Sequence, residues 1–149
     1  MEKKLYTYEF PRPSVTVDAL VFRRREGGEW EILLIKRKYE PFAGFWALPG
    51  GFIEDDETLE EAVERELYEE TSLKEVQLTQ LRAFSKPNRD PRGRTISIAF
   101  VGVLTQDVSL QPRSDAKEIG WFPIADLPNL AFDHDEIIKC GIEWLGTRK

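Results

Sequence analysis

Between Gly50 and Leu73 the chain reads Gly-Gly-Phe-Ile-Glu-Asp-Asp-Glu-Thr-Leu-Glu-Glu-Ala-Val-Glu-Arg-Glu-Leu-Tyr-Glu-Glu-Thr-Ser-Leu, and this stretch constrains the fold more than any other. Thr58, with Glu61 three residues later, forms a capping box, the signature of a helix start. Leu59, Ala62, Val63 and Leu67 then recur at helical spacing, which predicts an amphipathic helix packed by one apolar face. The two glycines ahead of it predict a loop whose backbone comes close to a ligand, or a simple turn.

The opposite face of that helix is acidic. Between Glu54 and Glu75 there are eleven Asp or Glu against two cations, Arg65 and Lys74, in a chain whose overall charge is −6. Like charges three or four residues apart cost ~0.2–0.5 kcal/mol per pair, so Glu60/Glu64, Glu66/Glu69, Glu66/Glu70 and their neighbours together cost ~1–3 kcal/mol. The positive helix N-terminus offsets the acids of the first turn, and Arg65 reaches Glu61 and Glu69 one turn to either side. Glu66, Glu69 and Glu70 lie beyond the first turn. Spaced i, i+3 and i+4, they project from one side of the helix, and an oxygen-only cluster suits Mg2+, which keeps several waters and takes substrate phosphates. The bland alternative, a solvated charged face, stays open on spacing alone.

With 149 residues and 41% hydrophobic content, the expectation is one domain spanning 1–149 with a proper core. There is no long apolar run, and Met-Glu-Lys-Lys-Leu-Tyr-Thr-Tyr lacks the apolar core of a signal peptide, so a soluble, cytoplasmic protein without membrane contact is expected. The single Cys140 excludes an internal disulfide and a cysteine-rich metal site. Net negative charge argues against nucleic-acid binding, which needs basic surface.

Along the chain, Ser14 to Phe22 reads as a strand, and Gly27-Gly28 turns it into a hairpin partner, Trp30 to Ile35. The basic run Lys36-Arg37-Lys38 is surface charge or, at Arg37, a contact for substrate phosphate. Phe42 to Leu48 reads as a short strand entering Pro49-Gly50-Gly51, where a Gly51 carbonyl aimed inward is a further oxygen ligand. Val76 to Phe84 is an imperfect strand. Ser85 to Arg94 is a loop carrying Lys86, Arg89, Arg92 and Arg94, a density that fits a pyrophosphate clamp or a solvated hairpin tip. Thr95 to Leu104 reads as a central strand, Gln106 to Lys117 as a polar loop and Glu118 to Ile124 as a short strand. Asp133 opens a last helix with Ile137, Ile138, Gly141, Ile142 and Leu145 on one face. Strands before, between and after two helices predict an α+β fold, a mixed central β-sheet packed between helices.

The residues Gly51, Glu57, Arg65, Glu66, Leu67, Glu69, Glu70 and Leu73 resemble, in type and spacing, the signature of the Nudix hydrolases. One position departs: the family's helix-ending Gly is Ser72, which predicts a different or slightly strained cap without touching a metal ligand. Ala47 to Phe52, Asp90 to Arg94, Trp121-Phe122-Pro123 and Phe132 to Glu136 look like the ADP-ribose pyrophosphatase branch of that family. The resemblance implies the Nudix α/β/α sandwich and a Mg2+- or Mn2+-dependent pyrophosphohydrolase, with ADP-ribose the leading small-molecule substrate and a homodimer common among relatives. It implies Glu66 and Glu70 as metal ligands, Glu69 as a ligand or water-activating base, and Gly51 as a carbonyl ligand. Glu57 and Arg65 become a supporting ion pair, and Arg37, Arg89, Arg92 and Arg94 the substrate contacts. Relatives place an acid before Trp121, which makes Glu118 and Asp115 candidates for a general base.

His134, the only histidine, sits near a helix start as a cap, a surface residue or a substrate contact. For the adenine platform the sequence offers Tyr8, Phe10, Phe42 and Phe84. The rival readings are a Nudix enzyme for a modified nucleoside triphosphate or a dinucleotide, and a non-catalytic ADP-ribose sensor. The sensor branch joins a DNA-binding winged helix after this domain, for which 149 residues leave no room, so an enzyme is expected.

Overall fold

A computed structural model describes residues 5–106, 108, 110–111 and 116–148. β1 (Ser14–Arg24) and β2 (Trp30–Arg37) form the antiparallel hairpin set up by Gly27 and Gly28, both at positive φ. β3 (Trp46–Ala47) and β4 (Gly50–Phe52) are short; α1 spans Leu59–Thr71, and β5 (Thr79–Phe84), β6 (Thr95–Val103), β7 (Ala116–Pro123) and α2 (His134–Thr147) follow. The strands make one mixed sheet in the order β3-β2-β1-β6-β5, with β4 paired to β1 and β7 to β2. β1 and β6 run parallel, in register from Ser14↔Thr95 to Phe22↔Val103, and the other pairs are antiparallel.

β1 is buried on both faces, which is why Ala19 to Phe22 is continuously apolar instead of alternating. Val17, Ala19 and Val21 pack with Leu33, Phe100 and the Ala62, Val63 and Leu67 face of α1. Leu20 and Phe22 pack on the other side with Ile32, Leu34 and the Ile137 and Ile138 face of α2. Each such Val, Leu or Phe removed from water contributes roughly 1.5–3 kcal/mol, so the sheet holds a helix on each face. This is the α+β sandwich expected from the sequence. Among the described residues, no helix is long and apolar enough to cross a membrane.

The helix starts as its capping box dictates: the Thr58 side chain accepts from Glu61 N–H, and the Glu61 carboxylate accepts from Thr58 N–H. It ends at Ser72 in the left-handed region, φ 68°, where the Ser72 N–H donates to the Tyr68 carbonyl. The cap therefore keeps the geometry that glycine favours, with a side chain in it.

Three boundaries differ from the sequence reading. Of Phe42 to Leu48 only Trp46 and Ala47 form a strand; the preceding loop folds back, with Arg37 N–H donating to Phe45 O and Gly44 N–H to Arg37 O. Val76 and Leu78 pack into the core from coil, because Ser72 and Glu75 both take positive φ and turn the chain before β5 begins at Thr79. β7 starts at Ala116, two residues earlier than expected, beyond a register shift opposite Lys36 and Arg37. Asp115 lies outside the described residues.

Candidate active site

A cleft of about 400 Å3 opens where the start of β1, β4 and one side of α1 meet the first residues of α2 and the 85–94 loop. Its acidic wall comes from α1. Glu66 and Glu70 are one turn apart, their carboxyls within hydrogen-bonding reach of each other. Glu70 is only 5% exposed. Burial first, then the neighbouring Glu66 charge and the shared hydrogen bond, push the Glu70 carboxyl well above the ordinary range. Burial also pushes Glu66 up, against the opposing pull of Arg65.

Both glycines ahead of the helix are set by close approach. A Cβ on Gly51 would lie 2.8 Å from the Glu66 carboxylate, and one on Gly50 would lie 2.1 Å from Val17 O and 2.7 Å from Asp18 Oδ1. Along the β1–β4 ladder, Ala19 N–H donates to Pro49 O at 2.8 Å and Ile53 N–H to Val15 O at 3.1 Å. Bonded pairs alternate with non-bonded ones, so Val17↔Gly51, midway between them, is a bonded pair and Asp18↔Gly50 is not. The Gly51 carbonyl thus faces β1, which corrects the expectation that it is aimed inward. Gly50 turns its peptide away from β1 and donates its N–H to Glu70 Oε2 at 3.4 Å.

Arg65 binds Glu57 through two bonds, Nε to Oε2 at 2.9 Å and Nη2 to Oε1, and its Nη1 donates to Glu66 Oε1 at 2.8 Å and to Glu69 Oε2 at 3.2 Å. Glu57 above all, and then Glu66, raise the Arg65 pKa, so its charge is permanent. Arg65 Nη2 also donates to Phe52 O, tying the loop to the helix.

The three glutamates do not converge. Glu69 is drawn along the helix to Arg65, its side chain is 46% exposed, and it is not among the cleft-lining residues. Among the described residues, no three acidic, histidine or cysteine side chains gather into a metal-binding group. What remains is a pair of carboxylates, Glu66 and Glu70, beside the Gly50 peptide, all with oxygen donors. Two adjacent carboxyls, Glu70 buried and Glu66 half-buried, fit a hard divalent cation, which takes one or two carboxylates and leaves its other positions to water and phosphate oxygens.

Glu118 does not reach this cleft. It lies on β7 opposite Lys36, pairs with the Lys36 ammonium at 3.4 Å, and its side chain is 57% exposed. The arginines expected to clamp phosphate divide. Arg94 donates to Ser85 O at 2.6 Å across the base of its loop and does not line the cleft. Arg89 lines it, yet its side chain is buried and its fork is engaged by Asp133, with Nε to Oδ2 at 2.8 Å. Arg92 lines it with Nε and Nη2 engaged by Asp90, and its guanidinium lies 4.6 Å from the Phe52 ring centre and 5.0 Å from that of Phe132. Arg37 lines it as well, donating to Pro41 O and Tyr39 O. Asp18 and His134 form the cleft floor. The sequence signal for Asp18 was a charged residue inside an otherwise apolar strand. His134 is buried, so it is neither a cap nor a surface residue. The aromatic rings facing the cleft are Tyr39, Phe52 and Phe132; Phe42 and Phe84 pack into the core, and Tyr8 and Phe10 are exposed elsewhere.

The sequence model of the NUDIX domain matches residues 12–145. The chain is 47% identical over 135 residues to an ADP-ribose pyrophosphatase of Methanocaldococcus jannaschii, covering 89% of this chain and 75% of that protein. Among solved structures it is similar to a MutT/nudix family protein from Enterococcus faecalis, with TM-score 0.86 and 33% identity over 98% of this chain and 66% of that one. It is also similar to the NUDIX domain of Shewanella oneidensis NrtR complexed with ADP ribose, with TM-score 0.85 and 33% identity over 91% and 90% of the two chains.

Proposed function

Because this chain belongs to the NUDIX domain family, we propose that it is a divalent-cation-dependent pyrophosphohydrolase that cleaves ADP-ribose to AMP and ribose 5-phosphate. The observation that carries the reading is the Glu66–Glu70 pair against Gly50, at the wall of a cleft that also presents aromatic rings and arginines. The ADP-ribose pyrophosphatase at 47% identity supports the choice of substrate. Glu66, Glu70 and the Gly50 carbonyl would hold the cation. Mg2+ or Mn2+ bound there would neutralise the diphosphate and lower the pKa of a water.

The protein groups then divide the work. Arg65, fixed by Glu57, holds Glu66 in place from behind. Phe52, 41% exposed at the cleft mouth, with Tyr39 and Phe132, offers flat apolar surface for adenine. Arg37 and the outer edge of Arg92 face the diphosphate. Water attacks one phosphorus in line, the bridging P–O bond breaks, and the departing phosphate leaves with the electron pair. Since Glu69 and Glu118 lie off the cleft and Glu66 and Glu70 would be engaged by the cation, the proton of the attacking water passes to solvent at the cleft mouth.

Incubation with Mg2+ and a panel of ADP-ribose, dinucleotides and nucleoside triphosphates, followed by chromatography, should yield AMP from ADP-ribose fastest. Glu70→Gln should lower that rate at least ~100-fold while the protein stays folded, since Gln keeps the size and shape of the side chain and removes a charged oxygen ligand. Full activity of the variant would remove Glu70 from the site. The likeness to the NrtR domain holding ADP ribose favours a second reading, a sensor, which calorimetry would report as ADP-ribose binding without turnover.

A further inference from the structure

Beneath the acid pair runs a chain of buried polar groups that the reaction above does not use. His134 Nδ1 accepts from Leu48 N–H at 3.0 Å, and its Nε2 lies 3.5 Å from Asp18 Oδ1. A ring nitrogen that accepts carries no proton, so the proton of this imidazole sits on Nε2, the nitrogen on the Asp18 side. Burial holds His134 below its usual pKa, in keeping with a neutral ring. The other oxygen of Asp18 accepts from the Ser97 hydroxyl. All three residues are buried, and they join α2, β1 and β6 to the crossing between β3 and β4.

That crossing is where the acid pair is set. Leu48 lies two residues before Gly50, whose N–H reaches Glu70. Asp18 lies directly against Gly50, closely enough that a Cβ there would meet its carboxylate at 2.7 Å. Leu48 and Gly50 are thus fixed from one network: His134 takes the first peptide and orients Asp18 under the second. A neutral, singly protonated ring suits this task, because it accepts from Leu48 on one side and sets an N–H beside Asp18 on the other without adding charge beside two glutamates.

We propose that His134 is a positioning residue, which holds the Leu48–Gly50 crossing so that the Gly50 peptide and Glu70 are set for a divalent cation. The proposal rests on the cation-binding reading of Glu66 and Glu70. A purely structural brace would change stability and nothing else, so the test reads cation affinity directly.

Mn2+ binding to the full chain without substrate is followed by the electron paramagnetic resonance of free Mn2+, beside thermal unfolding, for the unaltered protein, His134→Asn and His134→Phe. Asn places an amide oxygen where Nδ1 stood and keeps an acceptor for Leu48; Phe keeps the ring shape and loses both the acceptor for Leu48 and the N–H beside Asp18. His134→Phe should weaken Mn2+ binding about 10-fold or more, with kcat falling and KM for ADP-ribose unchanged, and His134→Asn should stay within about threefold of the unaltered protein. If His134→Phe does not fold, His134→Gln, whose longer chain carries the acceptor away from Leu48, replaces it. Equal Mn2+ affinity in all variants, equal impairment of Asn and Phe, or a rise in KM alone would each overturn the proposal and leave the cation site standing. Absence of Mn2+ binding in the unaltered protein would overturn both.

Discussion

At the scale of single residues, the cleft is governed by which charges already have partners. Asp90 is the sharpest case. Burial pushes its carboxyl up, but the Arg92 side chain and the Arg92 N–H, both donating to it, outweigh burial and hold it below the usual carboxylate value of 3.8. A depressed carboxyl contributes stability above pH 3.8 that is lost as pH falls toward its folded-state value. Replacing it with Asn removes a charge-assisted pair, a loss of about 1–2 kcal/mol at neutral pH. Urea unfolding of the unaltered protein and Asp90→Asn should therefore show a gap at pH 7 that narrows as the pH drops below 4. A constant gap would mean that the Asp90 charge does not hold Arg92.

At the scale of an element, α1 is bounded by two caps of unequal quality. The Thr58–Glu61 capping box satisfies the first turn, and the Ser72 cap holds a side chain at φ 68°. Left-handed backbone disfavours any residue with a Cβ, and the Ser72 hydroxyl recovers little, lying 3.5 Å from Gln111 O. Ser72→Gly should stabilise the protein by about 0.5–1 kcal/mol, the relief of strain exceeding glycine's greater freedom when unfolded. Calorimetry should find a rise in Tm of roughly 1–4 °C for a chain of this size. A fall in Tm would show that the hydroxyl matters more than the backbone.

At the scale of the whole molecule, the site exists because two helices clamp opposite faces of one sheet. α2 lies close to β1 because Gly141 has no side chain; a Cβ there would meet Leu20 Cδ2 at 2.4 Å and Phe22 Cζ at 3.1 Å. Leu20 and Phe22 are fully buried and have no room to retreat. Ala favours a helix interior over Gly by ~1 kcal/mol, whereas an added methyl in a packed core costs ~1–3 kcal/mol. Gly141→Ala should therefore be net destabilising, by about 1–2 kcal/mol in denaturant unfolding. A more stable variant would mean that the sheet and α2 are loosely joined, and that His134 is not held where the cleft needs it.

The sequence alone determined what local chemistry fixes. The capping box and apolar spacing fixed where α1 starts and which face it buries, and the Gly27-Gly28 turn placed the first hairpin. Glu66 and Glu70 were legible as an acid pair because one helical turn separates them whatever else the fold does. Where Glu69, Glu118, the Gly51 carbonyl and the arginines point was not legible, because each orientation depends on the partner the fold supplies: Arg65 takes Glu69, Val17 the Gly51 peptide, Asp133 the Arg89 fork and Lys36 the Glu118 carboxylate. Asp18, Ser97 and His134 come from β1, β6 and α2, and only the packed sheet brings them under Glu70. Spacing along the chain states which groups a helix presents; which of them stay available to a ligand is settled when the tertiary fold supplies the competing partners.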